Sequence, residues 1–442
     1  MGRARLKSRL GFLMLAAGCA VGLGNVWRFP YVVGRNGGAA FVILYLGFLA
    51  LIGFPLLVAE LSIGRGAQRG IAKAVATLAP SRFSRVWSVI GTLVFTGNFL
   101  LMIFYTDVAG WLLKYTGGYA AGRHPSDPSA AFASLTGDPA LCTAFMLVTV
   151  AIATLVCLGG VVKGVERVTK VMMVSLLALL ALLAVRALIL PGAGAGVEFY
   201  LRPDWGRFFE HPVMTAFDAM GQAFFTLSLG IGAMTIFGSY IGRDHSLVKE
   251  AFWIIVIDTF VAILAGLVVF PACAAYGVDY SEGPGLIFVA LPRVFAKMSG
   301  GAMWGFLFFL FLSFAALTTV IAVFECLIGG LADACGKPRW ALTLAVGAAV
   351  AVASLPCVFI DGALGWEDFA VSQFWLPCGA LALTLFVVSR RLGWGWPAFR
   401  NEASTGAGAA LPDWLKAHYA FVIPSLILVI LVVGFYQKFF AS

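Results

Sequence analysis

Two glycine clusters interrupt long apolar stretches of the chain, and each lies beside a polar residue. The clusters are Gly18-Cys19-Ala20-Val21-Gly22-Leu23-Gly24-Asn25 and Thr226-Leu227-Ser228-Leu229-Gly230-Ile231-Gly232. Glycine weakens a helix by roughly 1 kcal/mol relative to alanine, and unwound backbone at membrane depth survives only where it is buried or lines a cavity. Such backbone can bind ions and zwitterions; close helix packing through small residues is the alternative. The polar Asn25 and Thr226 favour a binding site.

Acidic residues inside the apolar stretches are the second chemical signal, because an intramembrane charge is costly and usually functional. Asp258 is the most informative, Glu60 and Glu325 are expected to brace the broken helices through hydrogen bonds, and Asp107 and Asp218 receive no role. The sequence shows no nucleophile–base pair, metal-ligand cluster or phosphate-binding loop, which argues against an enzyme. The eight cysteines form no CxxC pair and are expected to be small core residues.

The elements that position these residues are predicted to be membrane helices. Of 442 residues, 61% are hydrophobic and 12% charged, whereas soluble chains are about half apolar and a quarter charged. The apolar runs are long and do not alternate as β-barrel strands do, so we predict an all-α polytopic membrane protein. A basic start leads into a span too long for a signal peptide, so no cleavable signal is expected. Eleven spans are predicted, approximately at 9–34, 39–68, 87–116, 140–160, 167–190, 213–240, 248–275, 301–332, 340–356, 367–390 and 417–438.

The charge distribution predicts the orientation of these spans. With the N-terminus inside, most of the 30 Lys and Arg residues fall in cytoplasmic segments, as the positive-inside rule requires. An odd number of spans then places the C-terminus outside, and the net charge of +9 needs no nucleic-acid partner. The loop 281–299 carries an apolar stretch from Leu286 to Phe295 that is too short to span, so we predict a loop helix lying on the protein.

The two glycine clusters lie five spans apart, in the first and sixth predicted spans. Spans 1–5 and 6–10 would then be corresponding halves of opposite topology, which is the arrangement of an inverted-repeat transporter. We therefore expect residues 1–442 to form a single transmembrane transporter domain. Its predicted parts are a first five-span repeat at 9–190, a second, inverted repeat at 213–390 and an additional span at 417–438.

Three motifs resemble the neurotransmitter:sodium symporter family. They are Gly22-Leu23-Gly24-Asn25-Val26-Trp27-Arg28-Phe29-Pro30 with Asn36-Gly37-Gly38-Ala39-Ala40-Phe41, then Gly221-Gln222-Ala223-Phe224-Phe225-Thr226-Leu227-Ser228-Leu229-Gly230, and Gly283-Pro284-Gly285-Leu286-Ile287-Phe288. The resemblance runs through spans 1 to 11 in order, without the family's usual twelfth span. It implies a LeuT-like 5+5 inverted repeat with discontinuous helices 1 and 6, and sodium-coupled uptake of an amino acid by alternating access.

The resemblance implies a substrate site at the two breaks. Half-helix N–H groups of Leu23 and Gly24 would hold the substrate carboxylate, half-helix carbonyls and the Ser228 hydroxyl would accept from its ammonium, and Tyr105 would close the pocket. No charge faces the side-chain pocket, which predicts a neutral hydrophobic L-amino acid and leaves branched or aromatic preference open. The implied residues are Ala20, Gly22, Leu23, Gly24, Leu101, Tyr105, Phe225, Thr226, Ser228, Ile231, Val320 and Val323.

Two sodium sites are also implied. The first comprises Ala20, Asn25, Thr226 and Asp258, and the second Gly18, Val21, Ala315, Thr318 and Thr319; for the two adjacent threonines, hydrogen bonding to the preceding helical turn is the alternative. Chloride-dependent family members need an anion near the first sodium. The corresponding neighbourhood of Tyr45, Gln222 and Thr226 is present, but Ala262 replaces a serine and Asp258 supplies a fixed negative charge, so no chloride requirement is expected.

Two charge pairs are implied as gates. Arg28 with Asp368 would close the outer vestibule, and Arg3 with Asp333, beside Tyr240, would close the inner side. The alternative for each charge is a solvated loop residue, most strongly for Arg3. Leu6 stands where the family often has a tryptophan, and this difference is expected to loosen the inner closure.

These features together predict a sodium symporter for an amino acid in the cell's inner (plasma) membrane, with its N-terminus cytoplasmic. Its expected partners are the amino-acid substrate, sodium ions and the lipid bilayer. One alternative is a carrier of a monoamine or other amine, although monoamine carriers of the family place an acid where this chain has Gly22. The other alternative is a channel or a non-transporting substrate sensor on the same scaffold.

Overall fold

The computed structural model describes residues 6, 8–279 and 285–440, and the described chain is almost entirely helical. Nine helices in this part are long and apolar enough to cross a membrane, and two shorter helices joined at a 54° bend form a tenth candidate. The strand-like pairing recorded in the described ranges is an isolated bridge between Gly38 and Pro203. These observations confirm the predicted all-α polytopic membrane fold.

Eleven helical segments coincide with the eleven predicted spans, and we number them α1 to α11 in chain order. They are α1 (Arg9–Ala20 and Gly24–Arg35), α2 (Ala39–Ala67), α3 (Ser84–Ala120), α4 (Pro139–Leu158), α5 (Val161–Leu188), α6 (Pro212–Thr226 and Ala233–Gly238), α7 (Leu247–Ala275), α8 (Gly301–Cys335), α9 (Arg339–Phe359), α10 (Ala363–Val388) and α11 (Leu415–Phe440). The two parts of α6 are individually short, and α6 is the segment not counted among the ten candidates above.

Both glycine clusters coincide with breaks in helices. The first half of α1 ends at Ala20, and the chain resumes at Gly24 in a π-helical turn that leads into the second half. The chain of α6 unwinds over residues 227–232, where Gly230 and Gly232 have φ angles of 90° and 70°. Glycine adopts such angles without the steric penalty of a Cβ atom, so the sequence permits the turn at this place.

Short helices connect the long ones. The helices Leu286–Ala290 and Leu291–Lys297 confirm the predicted loop helix. The sequence analysis did not predict Ile71–Leu78, Pro128–Thr136, Gly194–Leu201 or Trp396–Ala403. Pro128–Thr136 had a recognisable signal, because Asp127 precedes a proline and its carboxylate accepts hydrogen bonds from the N–H groups of Ser129 and Ala130.

The helices differ in how deeply they are enclosed. In α8, 78% of the most apolar window is buried, whereas the corresponding value for α11 is 28%. Large apolar side chains such as Leu155, Val171 and Phe421 are more than 60% exposed on the outside of the bundle. This distribution suits a protein surrounded by lipid, since apolar side chains there need no cover from other helices. It places α8 beside the broken helices at the centre.

Candidate functional site

The break in α1 is tied to α3 and to its own polar side chain. The N–H of Leu23 donates to the Tyr105 hydroxyl oxygen at 2.9 Å, and the N–H of Gly22 donates to Asn25 Oδ1 at 3.2 Å. A Cβ at Gly22 would overlap both the Tyr105 hydroxyl and the Thr319 hydroxyl. The backbone of the break therefore lies in direct contact with two predicted site residues.

Asp258 joins α7 to both broken helices. Asn25 Nδ2 donates to Asp258 Oδ1 at 2.8 Å, and Thr226 Oγ1 donates to Asp258 Oδ2 at 3.0 Å. All three side chains are fully buried. Three of the four residues predicted for the first sodium site thus form one hydrogen-bonded group, and a cation placed among their oxygens would lie against a carboxylate.

Thr319 is surrounded by carbonyl oxygens from the end of α1. Its hydroxyl lies 3.3 Å from the carbonyl oxygens of Gly18 and Val21, and 3.4 Å from that of Ala315. These four oxygens belong to the set predicted for the second sodium site. Thr318 makes the hydrogen bonds that were the alternative to a sodium ligand. Its hydroxyl donates to the carbonyls of Phe314 and Ala315 in its own helix.

A small cavity of about 10 Å³ lies between the breaks, roughly the volume that one water molecule needs. It is lined by Cys19, Ala20, Gly22, Gly24, Leu101, Tyr105, Phe225, Ser228, Thr319 and Leu376. Leu376 of α10 has no sequence signal as a site residue, because it is an apolar residue in an apolar helix. Ile231, Val320 and Val323 are fully buried and lie outside the lining of this small cavity, so their place in the substrate side-chain pocket stays a prediction. Ile231 is turned instead towards Gly97 of α3.

The predicted bracing acids contact the elements expected of them. Glu60 of α2 accepts hydrogen bonds from the N–H of Gly230 at 2.7 Å, inside the α6 break, and from the N–H of Met234 at 3.1 Å, in the first turn of the second half of α6. Glu325 of α8 accepts from the Tyr240 hydroxyl at 2.7 Å and forms an ion pair with Arg339. Glu60 therefore satisfies donors at the α6 break, and Glu325 satisfies one just after the end of α6.

A second cavity of about 360 Å³ shares the lining residues Tyr105 and Phe225 with the central cavity, and Arg28 and Asp368 also line it. No ion pair joins Arg28 to Asp368 in the described chain, so the predicted outer gate is not formed as a charge pair. The Arg28 guanidinium lies 4.7 Å from the centre of the Phe225 ring instead, a cation–π contact that stabilises the charge where it stands. Asp368 accepts a hydrogen bond from the Ser372 hydroxyl at 2.9 Å.

The predicted inner gate is only partly within the described chain, because Arg3 lies outside it. Asp333 accepts a hydrogen bond from the N–H of Gly70 at 2.8 Å. Leu6 and Tyr240 line a cavity of about 230 Å³ together with the start of α1. Leu6, which stands where the family often has a tryptophan, thus borders this cavity.

Asp218 and Asp107, which received no predicted role, and the residues of the predicted chloride neighbourhood differ in their contacts. Asp218 accepts a hydrogen bond from Asn36 Nδ2 at 2.8 Å, which links α6 to the outer end of α1. Both carboxylate oxygens of Asp107 are buried without a hydrogen-bond partner among the described residues. Gln222 Nε2 donates to the Gly24 carbonyl at 2.8 Å, and the Tyr45 ring packs on Phe29 beside it.

Backbone ends and buried oxygens at two broken membrane helices define a class of protein, the helical secondary transporters. The described residues hold no group of three or more His, Cys, Asp or Glu side chains suited to a transition metal. The chain belongs to the sodium:neurotransmitter symporter family, whose model matches residues 3–121 and 134–440. It is a multi-pass sodium-dependent transporter of that family, which is not a family of enzymes.

Individual relatives cover nearly the whole chain. The sodium-dependent transporter YhdH of Bacillus subtilis is 34% identical over 96% of this chain and 96% of its own length. A sodium-dependent transporter of Haemophilus influenzae is 29% identical with the same coverage. The crystal structure of MhsT in complex with L-phenylalanine matches with a TM-score of 0.86 and 34% identity, covering 98% of this chain and all of MhsT.

Proposed function

We propose that this protein imports a neutral hydrophobic L-amino acid together with sodium by alternating access. The observation that carries the proposal is the convergence of both helix breaks on one small cavity flanked by two oxygen clusters. The α1 break supplies N–H groups for a carboxylate, and carbonyls at the end of the first half of α6 would accept from an ammonium.

Sodium is proposed to bind at both oxygen clusters. The first contains Asn25, Thr226 and Asp258, with Ala20 contributing its carbonyl; the second surrounds Thr319. Thr318 remains a proposed ligand of the second site, because an oxygen that donates its proton to the helix still has lone pairs for a cation. The inverted repeat, the cytoplasmic N-terminus, the external C-terminus and the plasma-membrane location belong to the same proposal.

The substrate class follows from what lines the cavity. Its side chains are apolar or hydroxylated, and no charged side chain is among the lining residues. Burying a side chain of leucine size is worth roughly 1.5–3 kcal/mol, whereas a charged side chain would lose its hydration without a partner. The site has no space for the acidic side chain that monoamine carriers have at position 22, because even a Cβ at Gly22 would overlap Tyr105 and Thr319. The phenylalanine bound to MhsT is consistent with this class.

Uptake into proteoliposomes tests the proposal. With sodium outside, purified protein is expected to accumulate labelled leucine or phenylalanine, and an equal potassium concentration should give no accumulation. Tyr105→Phe, which removes the hydroxyl that contacts the α1 break, should weaken uptake. Sodium-dependent binding without accumulation would indicate a sensor, and competition by monoamines or lysine but not by leucine would contradict the substrate class.

Chloride is proposed to be unnecessary because Asp258 supplies the anion. Two sodium ions and a zwitterion bring net positive charge into a site of low dielectric constant, where a fixed carboxylate offsets it. Replacing chloride by gluconate at constant sodium should leave wild-type uptake unchanged. Asp258→Asn should lose uptake and regain part of it when chloride is added. A large loss of the wild-type uptake rate in gluconate would contradict the proposal. If Asp258→Asn were active and insensitive to chloride, Asp258 would serve only as a sodium ligand.

A further inference from the structure

Ile231 packs against α3. It lies between Gly230 and Gly232 in the unwound part of α6 and is fully buried. Asn98 Nδ2 donates to its carbonyl oxygen at 2.6 Å. Its side chain lies against Gly97, where any Cβ would overlap the Ile231 Cγ2 atom. The absence of a side chain at position 97 therefore determines how far Ile231 extends towards α3.

Trp375 of α10 contacts the same spot. A Cβ at Gly97 would lie 2.6 Å from Trp375 Cδ1, so the indole and Ile231 share the space beside this glycine. The indole N–H donates to the Leu93 carbonyl at 2.8 Å, one helical turn before Gly97. This hydrogen bond fixes the ring against α3, and the ring in turn limits the movement of Ile231.

The wall formed by Trp375 and Leu376 separates two spaces. Leu376 lines the central cavity of about 10 Å³. Trp375 lines an apolar groove of about 210 Å³ between α3 and α10. If the indole were absent, Ile231 would have free volume to move into, away from the substrate cavity.

We propose that Gly97 and Trp375 set the largest substrate side chain that the transporter accepts, by fixing how far Ile231 can retreat. This inference rests on the proposed function and on the predicted place of Ile231 in the substrate side-chain pocket. A cavity of about 10 Å³ admits an amino acid only if neighbouring side chains move aside, and Ile231 is backed by Gly97 and the indole. Gly97 and Trp375 are positioning residues, because neither lines the central cavity.

Two substitutions should shift substrate selectivity in opposite directions. Gly97→Ala moves Ile231 towards the cavity, so affinity for phenylalanine and tryptophan relative to alanine should fall roughly 10-fold or more, the scale of a one-methylene change in a pocket. Trp375→Leu lets Ile231 retreat, so the same ratio should rise. Trp375→Phe keeps a ring and should stay close to wild type. The measurement is competition of sodium-dependent uptake by alanine, leucine, phenylalanine and tryptophan.

The matched control is Gly117→Ala, which makes the same substitution in α3 where a Cβ would meet nothing within 4 Å; its selectivity should not change. An equal loss of affinity for all four amino acids, or unchanged ratios in both variants, would overturn the inference. If Gly97→Ala does not fold, Trp375→Leu alone decides. Wild-type protein that takes up none of these amino acids would contradict the proposed function instead, so the two failures are distinguishable.

Discussion

Thr319 and Thr318 are adjacent in α8, yet their hydroxyls have different surroundings. Thr319 faces carbonyl oxygens of α1 across the helix interface, whereas Thr318 donates within its own helix. Thr319→Val keeps the side-chain shape and removes one oxygen from the second cluster. Because a bond to a charged group contributes about 1.5–3 kcal/mol, the sodium concentration for half-maximal uptake should rise roughly 10- to 100-fold. Sodium titration of uptake checks this.

Thr384 provides the control for that substitution. It is a fully buried threonine of α10 whose hydroxyl donates to the Ala380 and Leu381 carbonyls of its own helix. Thr384→Val should leave the sodium dependence as in wild type. An unchanged sodium requirement in Thr319→Val, or an equal change in both variants, would contradict a sodium ligand at Thr319.

Single residues of the site could be predicted where a polar group stands in an apolar run. Asn25 and Asp258 are conspicuous for this reason, and the structure brings them together across 233 positions. Leu376 and Gly97 gave no such signal, because an apolar residue or a glycine in a membrane helix is ordinary. The family resemblance implied Ile231 as a pocket residue, but its orientation depends on contacts with α3 that the local sequence does not contain.

At the scale of elements, the α6 break depends on α2. Glu60 accepts hydrogen bonds from the N–H of Gly230 within the unwound stretch and from that of Met234 just after it, where N–H groups have no partner in the preceding helical turn. In Glu60→Gln, one carboxylate oxygen becomes an amide nitrogen that cannot accept. We expect uptake to be lost and stability to fall by about 1.5–3 kcal/mol, as for hydrogen bonds to charged groups. Uptake and thermal unfolding in detergent measure the two effects.

Glu198→Gln is the corresponding control. The Glu198 side chain is 61% exposed and pairs with Arg202 at the surface, where an ion pair contributes little. Wild-type uptake and unfolding temperature are therefore expected for this variant. If Glu60→Gln behaved in the same way, the α6 break would not need the carboxylate.

Helix positions and breaks could be predicted because both depend on local composition. Long apolar runs predict spans, and glycine clusters mark the places where helical hydrogen bonding ends. The outer charge pair could not be predicted in the same way. Whether Arg28 contacts Asp368 or the Phe225 ring depends on the relative placement of α1, α6 and α10, which the sequence of any one helix leaves open.

At the scale of the whole molecule, distant parts of the chain meet at the C-terminal end of α2. Arg65 has no exposed side-chain surface, and its Nε donates to Glu402 Oε1 at 2.6 Å across 337 positions. Glu402 belongs to the short helix Trp396–Ala403 between α10 and α11. The sequence around Arg65 does not predict this pair, because a contact over this distance leaves no local trace. The Arg65–Glu402 ion pair joins that connecting helix to the end of α2.

The orientation of the molecule can be tested with a natural cysteine. Cys335 at the end of α8 is exposed, whereas the other seven cysteines are buried or half-buried. Lys337 and Arg339 follow it, so the positive-inside rule places this end in the cytoplasm. An exposed thiol reacts as its thiolate when a reagent reaches it. A membrane-impermeant maleimide should therefore label wild-type protein in inside-out vesicles, leave right-side-out vesicles unlabelled, and fail to label Cys335→Ser in either. Labelling of Cys335 in sealed right-side-out vesicles would contradict the proposed orientation, and with it the direction of transport as import.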